Sequence, residues 1–255
     1  MIVLKSKAEI EIMREAGRIN ARVHEAIREA AKPGVTTAQL DAIAEKVQQQ
    51  HDAKPVFKGY TFSPAVPPFP STITVCINDE LVHGIPNKTR RLEEGDLLSV
   101  DCGTMYKGFI GDSAFSIGIG AVSDEVIELL DVTEKSLYVG IEQCVVGNRV
   151  GDISYAIQQY VENRNYSVVR GYGGHGVGRT MHEDPHVPNY GRPRRGVKLR
   201  PGMTFAIEPM VLQWSHDVIT MPDKWTVKAK DGGLTAHCEH TIAVTENGPE
   251  ILTLL

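Results

Sequence analysis

Apolar residues recur every three or four positions in three long stretches of the chain, and this spacing predicts amphipathic helices. The first helix begins at Ser6, which opens a capping-box sequence, and ends at residues 32–34, where lysine, proline and glycine stop the apolar stripe. The second begins near residues 36–37, and the third begins at Ser123 and ends before Gly147. In both parts of the chain, helices therefore precede the segments that read as strands.

Two of the strand-like segments repeat each other. In residues 94–101, and again in residues 201–208, a glycine precedes a carboxylate by six positions on an alternating apolar run. A helical pattern that follows Gly34 also recurs after Gly147. The chain therefore reads as a duplication.

The order of these elements indicates the fold class. Helices followed by strands, without regular alternation, are typical of an α+β fold in which helices cover one side of a sheet. Duplication favours a pseudo-twofold axis with a cleft on it. We expect residues 1–255 to form a single domain with halves at roughly 1–120 and 121–255.

The carboxylates of the repeat are placed to share a site. Alternation along its strand directs Asp101 away from the core side. A turn at residues 106–108 would form a hairpin and set Asp112 opposite Asp101. In the second half, Glu208 takes the place that corresponds to Asp101, and Glu239 follows on a later strand.

These four carboxylates and His175, which lies in a glycine-rich segment, can hold two divalent cations. Two such ions roughly 3.5–4 Å apart need bridging anions to offset their repulsion. Oxygen-rich coordination with one imidazole favours Mn, Fe or Co, with Zn or Ni as alternatives. A water that bridges the ions would be acidified toward hydroxide, so the pattern predicts a hydrolase.

Composition narrows the possible classes of function. A net charge of −5 gives no reason to invoke nucleic acid or an anionic membrane, and no apolar run is long enough for a membrane span. The four cysteines form no CxxC pair, which suits free thiols in a reducing compartment. We expect a soluble cytoplasmic protein.

Two further segments read as loops. Residues 63–70 are rich in proline and cannot donate enough backbone hydrogen bonds for a central strand. Residues 191–200 carry several arginines and lysines. This basic loop is either a solvated connector or a contact for an acidic partner surface.

Four segments of the sequence carry a specific resemblance to a known family. The chain is similar over nearly its whole length to type I methionine aminopeptidases, which share the pita-bread fold, with its curved antiparallel sheet, with prolidase and aminopeptidase P. The segments that carry the resemblance are His83–Asn87, Ser99–Gly103, Gly171–Gly178 and Phe205–Met210.

The resemblance implies five metal ligands, which agree with those expected from the spacing: Asp101, Asp112, His175, Glu208 and Glu239. It adds that Asp112 and Glu239 bridge the two metals. The implied reaction is removal of the initiator methionine from nascent polypeptides whose second residue is small. Glu208 would shuttle the proton, His182 would stabilise the carbonyl oxygen, and His83 would contact the scissile amide.

The resemblance also implies an aromatic and sulfur-lined pocket for the methionine side chain, for which the candidates are Tyr60, Phe69, Met181 and Trp225. Some positions depart from the family pattern. Thr74 stands where cysteine is common, Met181 where phenylalanine is common, and His237 where glutamine is common, and the loop at 63–70 looks longer. These changes concern the shape of the pocket, because all five ligands are present.

Two other functions compete with this one. An Xaa-Pro aminopeptidase or dipeptidase would use the same five ligands, but such relatives carry a substantial extra amino-terminal domain, and here the residues before His83 belong to the first half of the repeat. An inactive pita-bread binding protein would be expected to lose ligands. We therefore expect a monomeric enzyme that acts on nascent chains, with the basic loop as a candidate ribosome contact.

Overall fold

The computed structural model describes residues 2–255, and four α-helices lie within them. The helices are α1 (Lys7–Ala30), α2 (Thr37–Gln50), α3 (Asp124–Glu142) and α4 (Val150–Glu162). Ser6 and Thr36 each close a capping box with the residue at the third helical position, and Ser123 caps α3. The three predicted helix starts are therefore confirmed.

Residues 2–255 also contain fifteen strands, which in each half come after the helices. All the strand pairs are antiparallel. They are β1 (Lys54–Pro55), β2 (Ile73–Ile77), β3 (Glu80–Val82), β4 (Leu97–Tyr106), β5 (Phe109–Gly118), β6 (Ser167–Val168), β7 (Gly173–Gly176), β8 (Glu183–Pro188), β9 (Thr204–Ile207), β10 (Met210–Leu212), β11 (Val218–Thr220), β12 (Val227–Ala229), β13 (Thr235–His237), β14 (Glu239–Thr245) and β15 (Gly248–Ile251).

The main sheet runs through both halves of the chain. Its nine strands include the path β1-β4-β5-β14-β9-β7-β8, with β2 paired to β4 and β15 paired to β14. The two halves meet where β5 pairs with β14. Two smaller sheets, β13-β10-β6 and β11-β12-β3, complete the fold.

The helices cover one face of the main sheet, as the sequence predicted. In the first half, apolar side chains of α1 and α2 pack on Val100, Cys102 and Phe115. In the second half, side chains of α3 and α4 pack on Phe205 and Ile207. Because side chains alternate along a strand, the neighbours of these residues project from the opposite face, which is the face of the predicted carboxylates.

The predicted repeat is visible in local geometry. Gly34 and Gly147 both adopt positive φ angles, 91° and 102°, shortly before α2 and α4. Leu40 of α2 and Ile153 of α4 occupy corresponding positions, and both are fully buried. The α+β class and the duplicated arrangement of helices before strands therefore agree with the sequence analysis.

One expectation about β4 was wrong. Only one face of this strand was expected to pack in the core, yet Leu97 and Leu98, which point to opposite faces, are both fully buried. They belong to two separate apolar clusters, because β13 of a smaller sheet also lies against β4. Asp101 is therefore a half-buried position within this strand, with buried residues both before it and after it.

The two predicted loops lie outside the main sheet. Residues 63–70 and residues 191–200 contain no element of helix or paired strand beyond an isolated bridge between Arg149 and Lys198. Within residues 2–255, no helix combines the length and apolar character that crossing a bilayer would require.

Candidate active site

The pairing of three strands places two of the predicted carboxylates in one row across the sheet. Ala114 of β5 pairs with Asp101 of β4 on one side and with Glu239 of β14 on the other. On the next strand, Ile207 of β9 pairs with the residue after Glu239, and Glu208 directly follows Ile207. Acids that are far apart in the sequence therefore approach each other on the face that the helices leave uncovered.

Asp112 lies one step along the sheet from this row. The hairpin turn consists of Lys107 and Gly108, whose φ angles are both positive, and it pairs Asp112 with Gly103. The prediction that Asp112 lies opposite Asp101 was therefore wrong by two residues, because Tyr106 pairs with Phe109 and this register sets Ala114 opposite Asp101. The two-residue period of a strand still leaves both carboxylates on the same face.

Asp112 is held in place by its backbone. Its N–H donates to Thr241 Oγ1 at 3.0 Å, and the Thr241 hydroxyl donates to the Asp112 carbonyl at 2.8 Å. These bonds join β5 to β14 beside the row of acids. The carboxylate of Asp112 consequently projects from a rigid part of the sheet.

His175 enters the site from β7 and contacts acids of both halves. Its Nε2 atom lies 3.7 Å from Asp112 Oδ2 and 3.6 Å from Glu208 Oε1. Its Nδ1 atom lies 3.0 Å from the carbonyl oxygen of Gly176, which can only accept, so Nδ1 carries the proton. In the neutral ring, Nε2 then directs a lone pair toward the carboxylates, which is the orientation a metal ligand requires.

The donor atoms lie close enough to share a cation. Asp112, His175 and Glu239 each offer one ligand atom, and these atoms all lie within 4.8 Å of one another. Three buried carboxylate oxygens, Asp101 Oδ1, Asp112 Oδ1 and Glu239 Oε1, find no hydrogen-bond partner among residues 2–255. Because an unpaired buried carboxylate is costly, this donor set fits divalent cations.

The electrostatics of the acids agree with that fit. Burial raises the pKa of Asp101 to about 7. Burial, followed by repulsion from neighbouring carboxylates, raises the pKa values of Asp112 and Glu239 well above their ordinary range. A bound cation would offset this repulsion and keep the acids ionised.

Glu208 behaves differently from the other acids. Burial acts to raise the pKa of this carboxyl, but the imidazoles of His237, His175 and His83 lie close by and together outweigh burial, so the pKa lies below its ordinary value. Glu208 is therefore ionised near neutral pH and can accept a proton.

All the side chains predicted for the site line one cavity of about 490 Å³. They are Tyr60, Phe69, His83, Asp101, Asp112, His175, Met181, His182, Glu208, Trp225 and Glu239. The carboxylates lie at its base and the aromatic residues form one wall, so polar and apolar surfaces face each other across the cavity.

The two histidines that spacing alone did not distinguish from surface residues differ in their environments. His182 is exposed, and the hydroxyl of Tyr60 lies 2.8 Å from its Nδ1 atom. The ring of His182 also lies 4.3 Å from that of His175. His83 is half-buried, and burial lowers its pKa to about 4, so its imidazole is neutral.

The aromatic wall is built around Trp225. Phe69, only 3% exposed, contacts Trp225 edge to face at 5.2 Å and Phe57 at 6.5 Å. Met181 is buried in the same apolar cluster. Phe57, Phe62 and Tyr172 also line the cavity but were not predicted as site residues. Phe57 and Phe62 belong to no motif, and Tyr172 lies in the Gly171–Gly178 segment but has no ligand-type side chain.

His237, which the sequence analysis noted only as a departure from the family pattern, is a further cavity residue. It is buried, and its Nε2 atom lies 3.6 Å from Glu208 Oε2. Its position two residues before Glu239, which places both side chains on one face of an extended segment, is the signal that could have identified it.

Comparison with known proteins places this site in a family context. Residues 11–246 match the model of metallopeptidase family M24. The methionine aminopeptidase of Clostridium acetobutylicum is 52% identical over 254 residues, covering 100% of this chain and 99% of the relative. Methionine aminopeptidase 1 of Bacillus subtilis is 50% identical over 253 residues, covering 99% of each chain.

Solved structures give the same picture. The crystal structure of methionine aminopeptidase from Thermotoga maritima matches with a TM-score of 0.96 at 42% identity, covering 100% of both chains. Prolidase from Pyrococcus furiosus matches with a TM-score of 0.78 at 22% identity, which indicates a common fold, and the match covers 99% of this chain but 66% of the prolidase.

Proposed function

The chain belongs to metallopeptidase family M24, and on this premise we propose that it is a methionine aminopeptidase that removes the N-terminal methionine from polypeptides whose second residue is small. The observation that carries the proposal is the convergence of His175, Glu208 and three further carboxylates on one cavity in a chain that matches such enzymes from end to end. An Xaa-Pro peptidase is disfavoured, because the relatives that are 50–52% identical to this chain are methionine aminopeptidases, whereas the prolidase is only 22% identical.

The metal centre would hold two divalent ions. Its proposed ligands are Asp101, Asp112, His175, Glu208 and Glu239. Of these, Asp112 and Glu239 are the proposed bridging ligands. The unpaired buried oxygens of three of these acids support this assignment, and the oxygen-rich set suits Mn, Fe or Co. When bound, such ions supply Lewis acidity and lower the pKa of water.

The remaining steps belong to side chains of the cavity. Glu208, ionised near neutral pH, is the proposed general base, which takes a proton from water and passes it to the leaving amine. When the Tyr60 hydroxyl donates to Nδ1 of His182, the single N–H proton of the neutral imidazole is on Nε2. Nε2 can then donate to the substrate carbonyl oxygen. His83 is the proposed contact for the scissile amide.

The methionine side chain of the substrate would pack against the aromatic wall of the cavity. Tyr60, Phe69, Met181 and Trp225 line the cavity on one side, and the last three of them are buried in or beside one apolar cluster. A flexible thioether packs favourably against aromatic rings and another sulfur. The free amine of the substrate would lie near Asp101, which fixes the position of the bond that is cut.

A peptide-cleavage assay tests the proposal. Protein loaded with Mn, Fe or Co should release methionine from Met-Ala-Ser and Met-Gly-Ser, and at least roughly 10²-fold more slowly from Met-Lys-Ser, because the site is expected to exclude a large second residue. Free methionine can be quantified by chromatography. Equal rates for the three peptides, or faster cleavage of Xaa-Pro peptides, would argue for another member of the family.

The matched control replaces one proposed bridging ligand. Asp112→Asn keeps the shape of the side chain but removes its charge, so the variant should fold, bind less metal per chain and release no methionine. Metal content can be measured by atomic emission and folding by circular dichroism. A fully active Asp112→Asn protein would contradict the bridging role.

We further propose that the enzyme is a cytoplasmic monomer that meets nascent chains at the ribosome. All four cysteines are free and buried, which suits a reducing compartment. The cavity is lined by residues of one chain, so a second copy is not needed to complete it. The exposed cations of residues 191–200 are the proposed contact for ribosomal phosphates.

A further inference from the structure

The loop of residues 61–70, here called the rim loop, is fixed at the mouth of the cavity. At its neck, Phe69 N–H donates to the Tyr60 carbonyl and Gly59 N–H donates to the Phe69 carbonyl, both at 2.8 Å. At its tip, Lys224 Nζ donates to the Ala65 carbonyl at 3.0 Å. Trp225 Nε1 donates to the Pro67 carbonyl at 2.8 Å.

The composition of the rim loop adds to this rigidity. Four of its ten residues are prolines, whose φ angles are fixed by the ring, and none of its residues is charged. Most of the prolines are exposed. A rigid, uncharged and apolar surface therefore borders the cavity, and a ligand that binds to it does not have to order a mobile segment.

Phe62 is the residue of the rim loop that connects this surface to the cavity. Its side chain is 63% exposed, yet it lines the cavity. Its ring contacts Trp225 edge to face, with the centroids 5.3 Å apart, and Trp225 in turn lies 6.2 Å from the ring of His83. A row of rings thus leads from solvent to the catalytic residues.

The two phenylalanines of the rim loop have different environments. Phe69 is buried against Trp225 and Phe57 and completes the proposed methionine pocket. Phe62 contacts Trp225 too but leaves most of its surface open at the mouth. An exposed aromatic ring beside a cavity is typical of a ligand-binding surface.

The path of a polypeptide substrate determines what reaches this ring. The first residue of the substrate lies in the pocket and the scissile bond lies at the carboxylates, so the residues after the second must leave through the mouth. On one side, the mouth is bordered by Phe62 of the rim loop. Because no residue of the rim loop is charged, apolar side chains gain most from contact with this side.

We propose that Phe62 and the rim loop form an extended substrate-binding site that holds the polypeptide downstream of its second residue and favours apolar side chains there. This inference rests on the proposed aminopeptidase function. It makes Phe62 a specificity-determining residue that takes no part in the chemical step.

Two peptides of equal length test the inference. Wild-type protein should cleave Met-Ala-Leu-Leu-Ser with a higher kcat/KM than Met-Ala-Ser-Ser-Ser. Phe62→Ser should lower kcat/KM for the leucine peptide roughly tenfold and leave the serine peptide nearly unchanged, because only the apolar contact is removed. Phe62→Tyr keeps the ring and should retain most of the wild-type preference.

The control is Trp214→Ser. Trp214 is 60% exposed, similar to Phe62, but does not line the cavity, so its loss should change neither peptide. An unchanged ratio of the two peptides in Phe62→Ser, or an equal fall for both, would overturn the inference; the second result would mean that Phe62 only supports Trp225. Release of methionine from neither peptide by the wild-type protein would overturn the proposed function and the inference with it.

Discussion

Three acids of the site, Asp101, Asp112 and Glu239, each have a buried carboxylate oxygen, and they lie side by side in a part of the sheet that holds their backbones rigidly. Ionised carboxylates in such a place repel one another strongly, because the surroundings screen them poorly. The protein therefore keeps a locally unfavourable arrangement that a bound divalent cation would relieve. We expect the free energy of unfolding to be sensitive both to metal and to pH.

The pKa of Asp101 gives this sensitivity a direction. An acid whose pKa is higher in the folded protein than in the unfolded chain binds more protons when folded, so stability falls as pH rises between the two values. For Asp101 that window runs from about 4 in the unfolded chain to about 7 in the folded protein. With metal removed by EDTA, the stability of the wild type relative to Asp101→Asn should fall by up to about 3 kcal/mol across it.

Thermal unfolding at a series of pH values checks this expectation. The Asp101→Asn variant lacks the titrating group, so the difference between the two melting temperatures isolates the contribution of Asp101. Added Mn²⁺ should reverse the trend for the wild type, because ionised carboxylates bind the cation more tightly as pH rises. A pH-independent difference in EDTA would show that Asp101 titrates normally.

At the level of single residues, the sequence predicted five metal-ligand candidates, which the structure places around one cavity, but it predicted fewer of the residues that surround them. Asp101 and Glu208 end alternating runs that repeat, a pattern visible without a structure. His237 and Phe62 were not assigned to the site, because their roles depend on contacts between distant segments. His237 meets Glu208 through the pairing of β10 with β13, and Phe62 meets Trp225 across the cavity mouth.

The packing of α1 against β5 depends on two glycines. A Cβ atom on Gly111 of β5 would lie 2.6 Å from the backbone nitrogen of Gly17 in α1. A Cβ atom on Gly17 would lie 2.1 Å from the carbonyl oxygen of Leu252. Both obstacles are backbone atoms, which cannot move away as a flexible side chain could.

Gly17→Ala should therefore destabilise the protein even though alanine is the better helix former. The gain in helix propensity is about 1 kcal/mol, whereas overpacking against backbone costs about 1–3 kcal/mol or more, so we expect a net loss of roughly 1–2 kcal/mol in the free energy of unfolding, measured with urea. Arg22→Ala, at an exposed position of the same helix, is the control and should have little effect. A Gly17→Ala protein more stable than the wild type would mean that α1 and the backbone at Leu252 can move apart.

At the level of elements, local signals predicted the helices and only part of the sheet. The helix starts were predictable because Ser6, Thr36 and Ser123 form their caps with residues three positions later. The register of the β4–β5 hairpin was missed by two residues, because it depends on the length of a turn. Short strands such as β6 and β10 exist only through pairing with distant segments, which no local pattern records.

At the scale of the whole molecule, the duplicated halves are joined by the β5–β14 pair, and the predicted carboxylates of both halves line the cavity beside it. The repeat of glycine and carboxylate in the sequence indicated two related halves. The strand order across the junction could not be read from it, because that order is decided by which edges of the two halves meet. The fold class could thus be predicted from the sequence, whereas the strand topology could not.

Charge is distributed unevenly over the molecule. The chain has a net charge of −5, yet residues 191–200 contain five cations and no acid. All five cations are exposed, and within residues 2–255 none of them forms an ion pair. The loop backbone is nonetheless fixed, because Val150 N–H and Gly151 N–H of α4 donate to the carbonyls of Val197 and Arg195.

A rigid set of unpaired cations is suited to phosphate, so reversing three of their charges should weaken the ribosome contact that we propose. We expect the combined variant Arg192→Glu, Arg195→Glu and Lys198→Glu to co-sediment with ribosomes at least roughly tenfold more weakly than the wild type at low salt, and wild-type binding to fall steeply as salt rises. The control variant Lys7→Glu, Lys32→Glu and Lys88→Glu makes the same change in net charge at exposed positions elsewhere and should bind like the wild type. Both variants should cleave Met-Ala-Ser at the wild-type rate, because neither alters a residue of the cavity. Equal weakening by the two variants would mean that net charge alone, and not this loop, governs the contact.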